Sequence, residues 1–213
     1  MIARFPGEVD DQFLRGTRVL ERLAGNERFA LAVSSCYPGA GTSSVACSLA
    51  RALAKVANHR VCLVEANVRT PGFAAAYGLN EAPGFCEFMT ETCSLDAAVQ
   101  VPTTDPVSVV TAGLRQAGNP WACSQAQLAR GVQALRERFD IVLFDTSPLL
   151  AYSDTATLAG HLDGLILVLE AERDNFEVAR LAVETAAEAG AKTLAAVLNK
   201  KPLYIPQWLY KRL

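Results

Sequence analysis

The stretch FALAVSSCYPGAGTSS, residues 29–44, decides the fold of this chain. It opens with a short aliphatic run, residues 29–34, which is typical of a buried strand. A turn with glycines at positions 39 and 41 follows, and apolar residues then recur at helical spacing. A glycine-rich turn between a strand and a helix aims backbone N–H groups and the positive end of the helix at one point, which suits an anion.

Further apolar runs follow along the chain, separated by helical or polar segments. They cover residues 60–65, 107–111, 141–145, 164–169 and 194–199. Continuous apolar runs that alternate with helices are typical of parallel strands buried on both faces. The sequence therefore predicts an α/β fold in three layers, a doubly wound and mostly parallel sheet flanked by helices.

Two apolar stripes at helical spacing are predicted to be part of the core. The first follows the glycine-rich turn and consists of Val45, Leu49, Leu53 and Val56. The second lies between the last two apolar runs and consists of Phe176, Ala179, Val183 and Ala187. Each stripe predicts a helix that packs on the sheet through that face.

The composition is that of one globular domain. The chain has 213 residues, of which 51% are hydrophobic and 20% are charged, with a net charge of -2. This excludes disorder for most of the chain and argues against a nucleic-acid-binding protein, which usually carries a basic excess. No apolar run approaches the roughly 18 residues of a spanning helix, and no signal-peptide core follows the first residues, so we expect a cytoplasmic protein. The six cysteines and two histidines are scattered, which favours reduced, packed thiols over a metal site.

Three segments are predicted. Residues 1–27 read as a helical segment, residues 28–199 as the α/β domain, and residues 200–213 as a basic-aromatic tail. The tail suits contact with an anionic membrane surface, and packing of its aromatic side chains back on the domain is the alternative.

The glycine-rich turn resembles a phosphate-binding loop without its lysine. When the Walker A pattern GxxxxGK[ST] is laid over it, Gly41 takes the second glycine and Ser43 the hydroxyl that binds Mg²⁺, but Thr42 stands in place of the lysine. A hydroxyl cannot supply the positive charge that grips phosphates. The residues predicted to form the cradle are Pro38, Gly39, Ala40, Gly41, Thr42, Ser43 and Ser44.

Polar side chains end two of the predicted strands. Glu65 and Asn67 follow the second apolar run, and Asp145 ends the run at 141–145. The carboxyl ends of parallel strands lie at the edge where such sheets bind ligands. Asp145 and Ser43 are therefore the predicted Mg²⁺ site, and the alternative for Asp145 is that it only caps the next turn.

Taken together, these segments resemble the cytoplasmic domain of bacterial tyrosine kinases, the BY-kinase family of capsule and exopolysaccharide machines, within the MinD/ParA-like branch of P-loop proteins. The resemblance covers nearly the whole chain. It rests on the loop, on Glu65, Asn67 and Arg69 in place of the Walker A′ motif Asp-x-Asp-x-Arg, and on Asp145 and Pro148 of the Walker B motif. It implies a P-loop NTPase-like fold, and it places Asn199 where the family contacts adenine.

The resemblance also implies a function, which the departures from the motifs alter. In the family, the lysine, both Walker A′ aspartates and the Walker B aspartate align Mg-ATP and activate a tyrosine hydroxyl. Here Glu65, Asn67 and Thr42 replace three of those four groups, so we expect a pseudokinase in which ATP or ADP with Mg²⁺ binds weakly or not at all. The alternatives are an active atypical tyrosine autokinase or ATPase that uses Glu65 and Asp145, and a ParA/MinD-like positioning ATPase.

Assembly features follow from the same resemblance. Gln12, Arg15 and Arg18 align with a family motif whose arginines bridge neighbouring subunits of a ring, and a solvated helix face is the alternative. Tyr204 and Tyr210 are the candidate phosphoacceptors in the tail. The implied partner is a Wzz-like inner-membrane polysaccharide co-polymerase, in a homo-oligomeric ring or a hetero-oligomer. The expected location is cytoplasmic, peripheral at the inner face of the cytoplasmic membrane.

Overall fold

The computed structural model describes residues 28–57, 59–103, 105–114, 121 and 123–201. The predicted ring motif, Gln12, Arg15 and Arg18, and the candidate phosphoacceptors, Tyr204 and Tyr210, lie outside the described residues.

The described residues form one sheet of seven strands. The strands are β1 Phe29–Ser35, β2 Val61–Glu65, β3 Val99–Gln100, β4 Ser108–Val110, β5 Ile141–Asp145, β6 Gly164–Glu170 and β7 Thr193–Asn199. Their order across the sheet is β3-β4-β2-β5-β1-β6-β7, and β3 is the antiparallel strand of an otherwise parallel sheet. The predicted fold class is confirmed, and the six predicted strands are present. The edge strand β3 has two residues, too few for an apolar run, and the sequence did not indicate it.

Helices cover both faces of the sheet. They are α1 Thr42–Ala57, α2 Phe73–Tyr77, α3 Phe85–Met89, α4 Leu95–Ala98, α5 Gln125–Arg138, α6 Ser153–Ala159 and α7 Phe176–Glu188. The first face packs on α1, whose predicted stripe is buried at Val45, Leu49 and Leu53. The opposite face packs on α3 and α5 at one end and on α6 and α7 at the other.

The central strands are buried on both faces, as their continuous apolar sequence predicts. In β1, Leu31 and Val33 pack toward α1, while Ala30 and Ala32 pack toward the opposite layer. All seven residues of β1 and all five of β5 are buried. Parallel pairing of β5 with both β1 and β2 places the carboxyl ends of these three strands side by side at one edge of the sheet.

The core stripe predicted for the last helix is wrong. Phe176 is 80% exposed and Val183 is 40% exposed, whereas Ala182 and Ala186 are buried. Of the other two stripe residues, Ala179 is half-buried and Ala187 is exposed. The helix packs on β1 and β6 through small alanines, because a side chain without bulk lets α7 approach the sheet closely. Periodicity gave the helix but not its buried face, since the alanines and the larger residues share the same period.

Among the residues that the structure describes, no helix has both the length and the apolar character needed to cross a membrane.

Candidate functional site

The loop between β1 and α1 adopts a conformation that requires glycine. Gly39 has a φ of +93° and Gly41 a φ of +89°, both in the left-handed region that favours glycine. A Cβ atom added at Gly41 would lie 2.3 Å from Nδ2 of Asn199, closer than atoms can pack. The two glycines that the sequence singled out are therefore needed both for the turn and for the close approach of β7.

Two residues from the far end of the chain hold backbone carbonyls of this loop. Asn199 donates from Nδ2 to the carbonyl oxygen of Ala40 at 2.7 Å, and Arg173 donates from Nη1 to that of Pro38 at 3.0 Å. Asn199 ends β7, and Arg173 lies in the turn between β6 and α7. The outer side of the loop is thus fixed to the β6–β7 end of the sheet.

A cavity of about 330 Å³ opens beside the loop. This volume is within the range of small-molecule sites. The lining residues come from the β1–α1 loop and from the ends of β2 and β5: Ser35, Pro38, Gly39, Gly41, Thr42, Ser43, Ser44, Glu65, Asn67, Thr70, Gly72, Phe73, Thr146 and Pro148. None of these described lining residues is a lysine or an arginine. The structure therefore brings most of the predicted cradle together with Glu65 and Asn67 around a space without a lining cation.

Asp145 lies buried beneath this cavity. It is 1% exposed, and no described residue donates a hydrogen bond to its buried Oδ1. The Ser43 hydroxyl lies close enough to act on its charge. Burial raises the pKa of Asp145 to about 7; the Ser43 hydroxyl lowers it and the charge of Glu65 raises it further. An unpartnered carboxylate oxygen beside a hydroxyl is a donor set that suits Mg²⁺. The predicted pair, Ser43 and Asp145, therefore fits this ion.

Glu65 is held by backbone amides. Its Oε1 accepts from the N–H groups of Gly72 and Phe73, and its Oε2 accepts from the N–H of Ala112 at 3.0 Å. Burial raises the pKa of Glu65, and the three backbone hydrogen bonds oppose that rise. The carboxylate thus holds the backbone N–H groups at the start of α2 and connects this helix to the segment after β4. This contact between distant parts of the chain could not be read from the sequence.

Both polar atoms of the Asn67 side chain, Nδ2 and Oδ1, make hydrogen bonds. Its Nδ2 donates to Oγ1 of Thr70 at 3.0 Å, and its Oδ1 accepts from Oγ of Ser147 at 2.9 Å. An amide has no proton-accepting role at neutral pH comparable with that of a carboxylate. At this position the site therefore has a structural hydrogen-bonding group rather than a base.

The arginine of the Walker A′-like segment does not line the cavity. Arg69 pairs with Asp154 of α6, and its guanidinium lies 4.0 Å from the centre of the Tyr152 ring. The Walker A′-like segment is therefore tied to α6 through Arg69. The sequence reasoning missed Arg173; the available signal was its place just after a parallel strand, at the same sheet edge as the loop.

Comparison with characterised sequences gives a consistent set of relatives, although no family model matches the chain. The tyrosine-protein kinase YwqD of Bacillus subtilis is 29% identical over 80% of this chain and 72% of its own length. The tyrosine-protein kinase CpsD of Streptococcus agalactiae is 27% identical over 89% of this chain and 82% of its own. The succinoglycan biosynthesis transport protein ExoP of Rhizobium meliloti is 27% identical over 84% of this chain, which spans 23% of that protein.

Solved structures agree with the sequences. The kinase domain of VpsO matches with a TM-score of 0.77 and 26% identity, covering 90% of this chain and 94% of that one. The chimerical protein CapA2B2, 21% identical with a TM-score of 0.79, covers 91% of this chain and 85% of its own. The cell division ATPase MinD of Pyrococcus furiosus, 18% identical with a TM-score of 0.69, covers 86% and 78%; the latter two show the fold alone. The chain is therefore a homologue of the bacterial tyrosine-protein kinases, the BY-kinases, with the fold of the MinD-like P-loop proteins.

Proposed function

We propose that the chain is a pseudokinase, a catalytically impaired relative of the BY-kinases that serves as a regulatory or scaffold component of an exopolysaccharide or capsule polymerisation and export complex. The observation that carries this proposal is the cavity, which no lysine or arginine lines among the residues that the structure describes. Phosphoryl transfer depends on positive charge placed on the transferred group, and Thr42 offers a hydroxyl there.

The carboxyl and amide groups at the end of β2 support the same conclusion. A base for a tyrosine hydroxyl needs an oxygen that can reach the substrate proton. Both oxygens of Glu65 already accept backbone N–H groups, and Asn67 is an amide held by Thr70 and Ser147. Neither group is suited to activating a tyrosine.

Weak binding of ADP or ATP with Mg²⁺ is part of this proposal. The two left-handed glycines and the Ser43–Asp145 pair retain the shape of a phosphate site and the ligands for the metal. When bound, Mg²⁺ would neutralise part of the phosphate charge. Glu65 and Asp145 add negative charge close to the site, and no cation is present among the described lining residues to offset it. This limits the affinity of the site for a nucleotide.

The same metal ligands favour one alternative, an active atypical autokinase or ATPase that uses Mg-ATP. Such an enzyme would need Asp145 and a second catalytic group. The backbone hydrogen bonds of Glu65 argue against Glu65 as that second group. A ParA/MinD-like positioning ATPase is a weaker alternative. Such proteins use a second loop lysine, and the corresponding residue here is Tyr37, which is 38% exposed.

The proposed partner is a Wzz-like inner-membrane co-polymerase, bound at the inner face of the cytoplasmic membrane. Support comes from the name of one relative, the succinoglycan biosynthesis transport protein ExoP. Assembly as a ring or hetero-oligomer through residues 1–27, and membrane contact through residues 200–213, complete the proposal.

The kinase part is tested by incubating the full chain with Mg-ATP, alone and with its co-polymerase, followed by anti-phosphotyrosine blotting. Asp145→Ala is the matched control, because it removes the metal-binding carboxylate. We expect the wild-type signal to equal that of the control. A strong wild-type signal that Asp145→Ala abolishes would show an active kinase and overturn the proposal.

The scaffold part is tested in cells that lack the gene. Full-length Asp145→Ala and wild type are each returned to the deletion strain, and polysaccharide yield is measured. We expect both to restore the polymer equally, because the proposed role does not require catalysis. Restoration by wild type alone would contradict a scaffold role, and no effect of the deletion would contradict the assignment to polysaccharide assembly.

A further inference from the structure

Arg173 places a cation against the loop that lacks its lysine. Its Nη1 donates to the carbonyl oxygen of Pro38 at 3.0 Å and to Oε2 of Glu170 at 3.0 Å. A Cβ added at Gly39 would lie 3.6 Å from this nitrogen, so the guanidinium is in contact range of the loop backbone. Pro38 and Gly39 both line the cavity, so Arg173, which does not line it, contacts the part of the loop that does.

The guanidinium still has donors to offer. An arginine carries five N–H groups, and the hydrogen bonds to Pro38 and Glu170 both come from Nη1. No described residue accepts a hydrogen bond from Nη2 or Nε, and half of the side chain is exposed. A small rotation of this long side chain can bring the Nη2 and Nε edge toward a ligand in the cradle.

The charges around Arg173 show how its guanidinium can act on a ligand. Glu170 also accepts a hydrogen bond from Lys200 at 3.0 Å, and the Lys200 and Arg173 contacts hold the pKa of Glu170 below its usual value. Glu172 and Asp174 belong to the same turn, so the cations do not give it a positive excess. Arg173 can therefore act through directed hydrogen bonds at short range rather than through a long-range field.

We propose that Arg173 is the phosphate-binding cation of this site, which donates from its Nη2 and Nε edge to the phosphate chain of a nucleotide held in the loop. Arginine suits this role because its planar fork matches phosphate oxygens in pairs. The inference rests on the proposed weak binding of Mg-nucleotide. Arg173, from the turn after β6, gives the site a cation that the β1–α1 loop itself lacks.

The experiment is calorimetric titration of the full chain with Mg-ADP. Arg173→Gln removes the charge, and Arg180→Gln is the matched control because Arg180 lies on α7 and pairs with Glu184 away from the loop. We expect Arg173→Gln to weaken binding by about tenfold, Arg173→Lys to restore part of it, and Arg180→Gln to bind as wild type does. Equal affinity of Arg173→Gln and wild type would overturn the inference, as would a wild type that does not bind Mg-ADP.

A second pair of variants separates phosphate binding from loop support. Thr42→Lys returns a cation to the loop, so the loss caused by Arg173→Gln should shrink several-fold in that background. An equal loss in both backgrounds would show that Arg173 only shapes the loop, which overturns the inference; thermal unfolding of each variant confirms that it is folded. Failure here leaves the pseudokinase proposal in place, because that proposal is decided by the phosphotyrosine blot.

Discussion

The side-chain amide of Asn199 donates a 2.7 Å hydrogen bond to the carbonyl oxygen of Ala40, and this bond ties the end of β7 to the loop after β1. The amide lies so close to Gly41 that no Cβ fits between them. Residues 159 positions apart thus determine one loop conformation together. The sequence predicted an adenine contact for Asn199, and in the structure its Nδ2 is used by the loop.

Replacing Gly41 should be more costly than replacing another glycine with the same backbone conformation. Gly41→Ala introduces both a strained φ and a clash with Asn199, whereas Gly190→Ala introduces the strain alone, because nothing lies within 4 Å of a Cβ there. We expect a loss of unfolding free energy of about 1 kcal/mol for Gly190→Ala and a clearly larger loss for Gly41→Ala. Urea denaturation measures both, and equal losses would contradict the contact.

Glu65 should be important for stability independently of any catalysis. The carboxylate of Glu65 accepts N–H groups through both oxygens, so in Glu65→Gln the side-chain NH₂ group would face a backbone N–H donor. We expect a loss of about 1–3 kcal/mol in the free energy of unfolding. The matched control is Glu184→Gln, which removes an exposed helix ion pair and should cost less than about 0.5 kcal/mol. Similar costs for the two variants would show that the Glu65 hydrogen bonds contribute little.

Asp145 should make the protein less stable as the pH rises toward neutrality. The pKa of Asp145 is 3.8 in the unfolded chain and about 7 in the folded chain. Its contribution to the free energy of unfolding is therefore complete below about pH 4 and is lost as the pH rises through 7. The slope for one proton is at most about 1.4 kcal/mol per pH unit. Burial also raises the pKa of Glu65, which adds a slope of the same sign.

The measurement is chemical denaturation between pH 4.5 and 8 without divalent ions. Asp145→Asn should flatten the profile and be more stable than wild type above pH 7, because an amide stays neutral. Asp96→Asn, at a side chain that is 85% exposed, should keep the wild-type slope. A wild-type profile that does not fall across this range would mean that Asp145 ionises normally in the folded chain.

The exposed stripe of α7 should tolerate truncation. Phe176→Ala should change the free energy of unfolding by less than about 0.5 kcal/mol, because the ring is 80% exposed. Leu53→Ala, at a fully buried position of α1, should cost about 2–5 kcal/mol. A large loss on truncating Phe176, seen in thermal and urea denaturation of the full chain, would mean that the ring is covered in solution.

The sequence predicted six of the seven described strands and the sheet edge that carries the site. Apolar strands buried on both faces have a strong local pattern, and the residues that follow them must meet at one sheet edge, as Ser43 and Asp145 do. What escaped prediction depends on contacts between distant segments. Glu65 bonds to Ala112, 47 residues away, and Arg173 to Pro38, 135 residues away. The buried face of α7 escaped for another reason, since alanines are favoured both in helices and at close packing contacts.

The three amide hydrogen bonds of Glu65 also determine how this chain would tolerate an aspartate at the same position. An aspartate there would be one methylene shorter and could not keep the same reach to Gly72, Phe73 and Ala112. Glu65→Asp alone would thus weaken the junction of α2 with the segment after β4. An aspartate becomes compatible only after those backbone segments have moved closer, so this substitution by itself leads to a less stable protein.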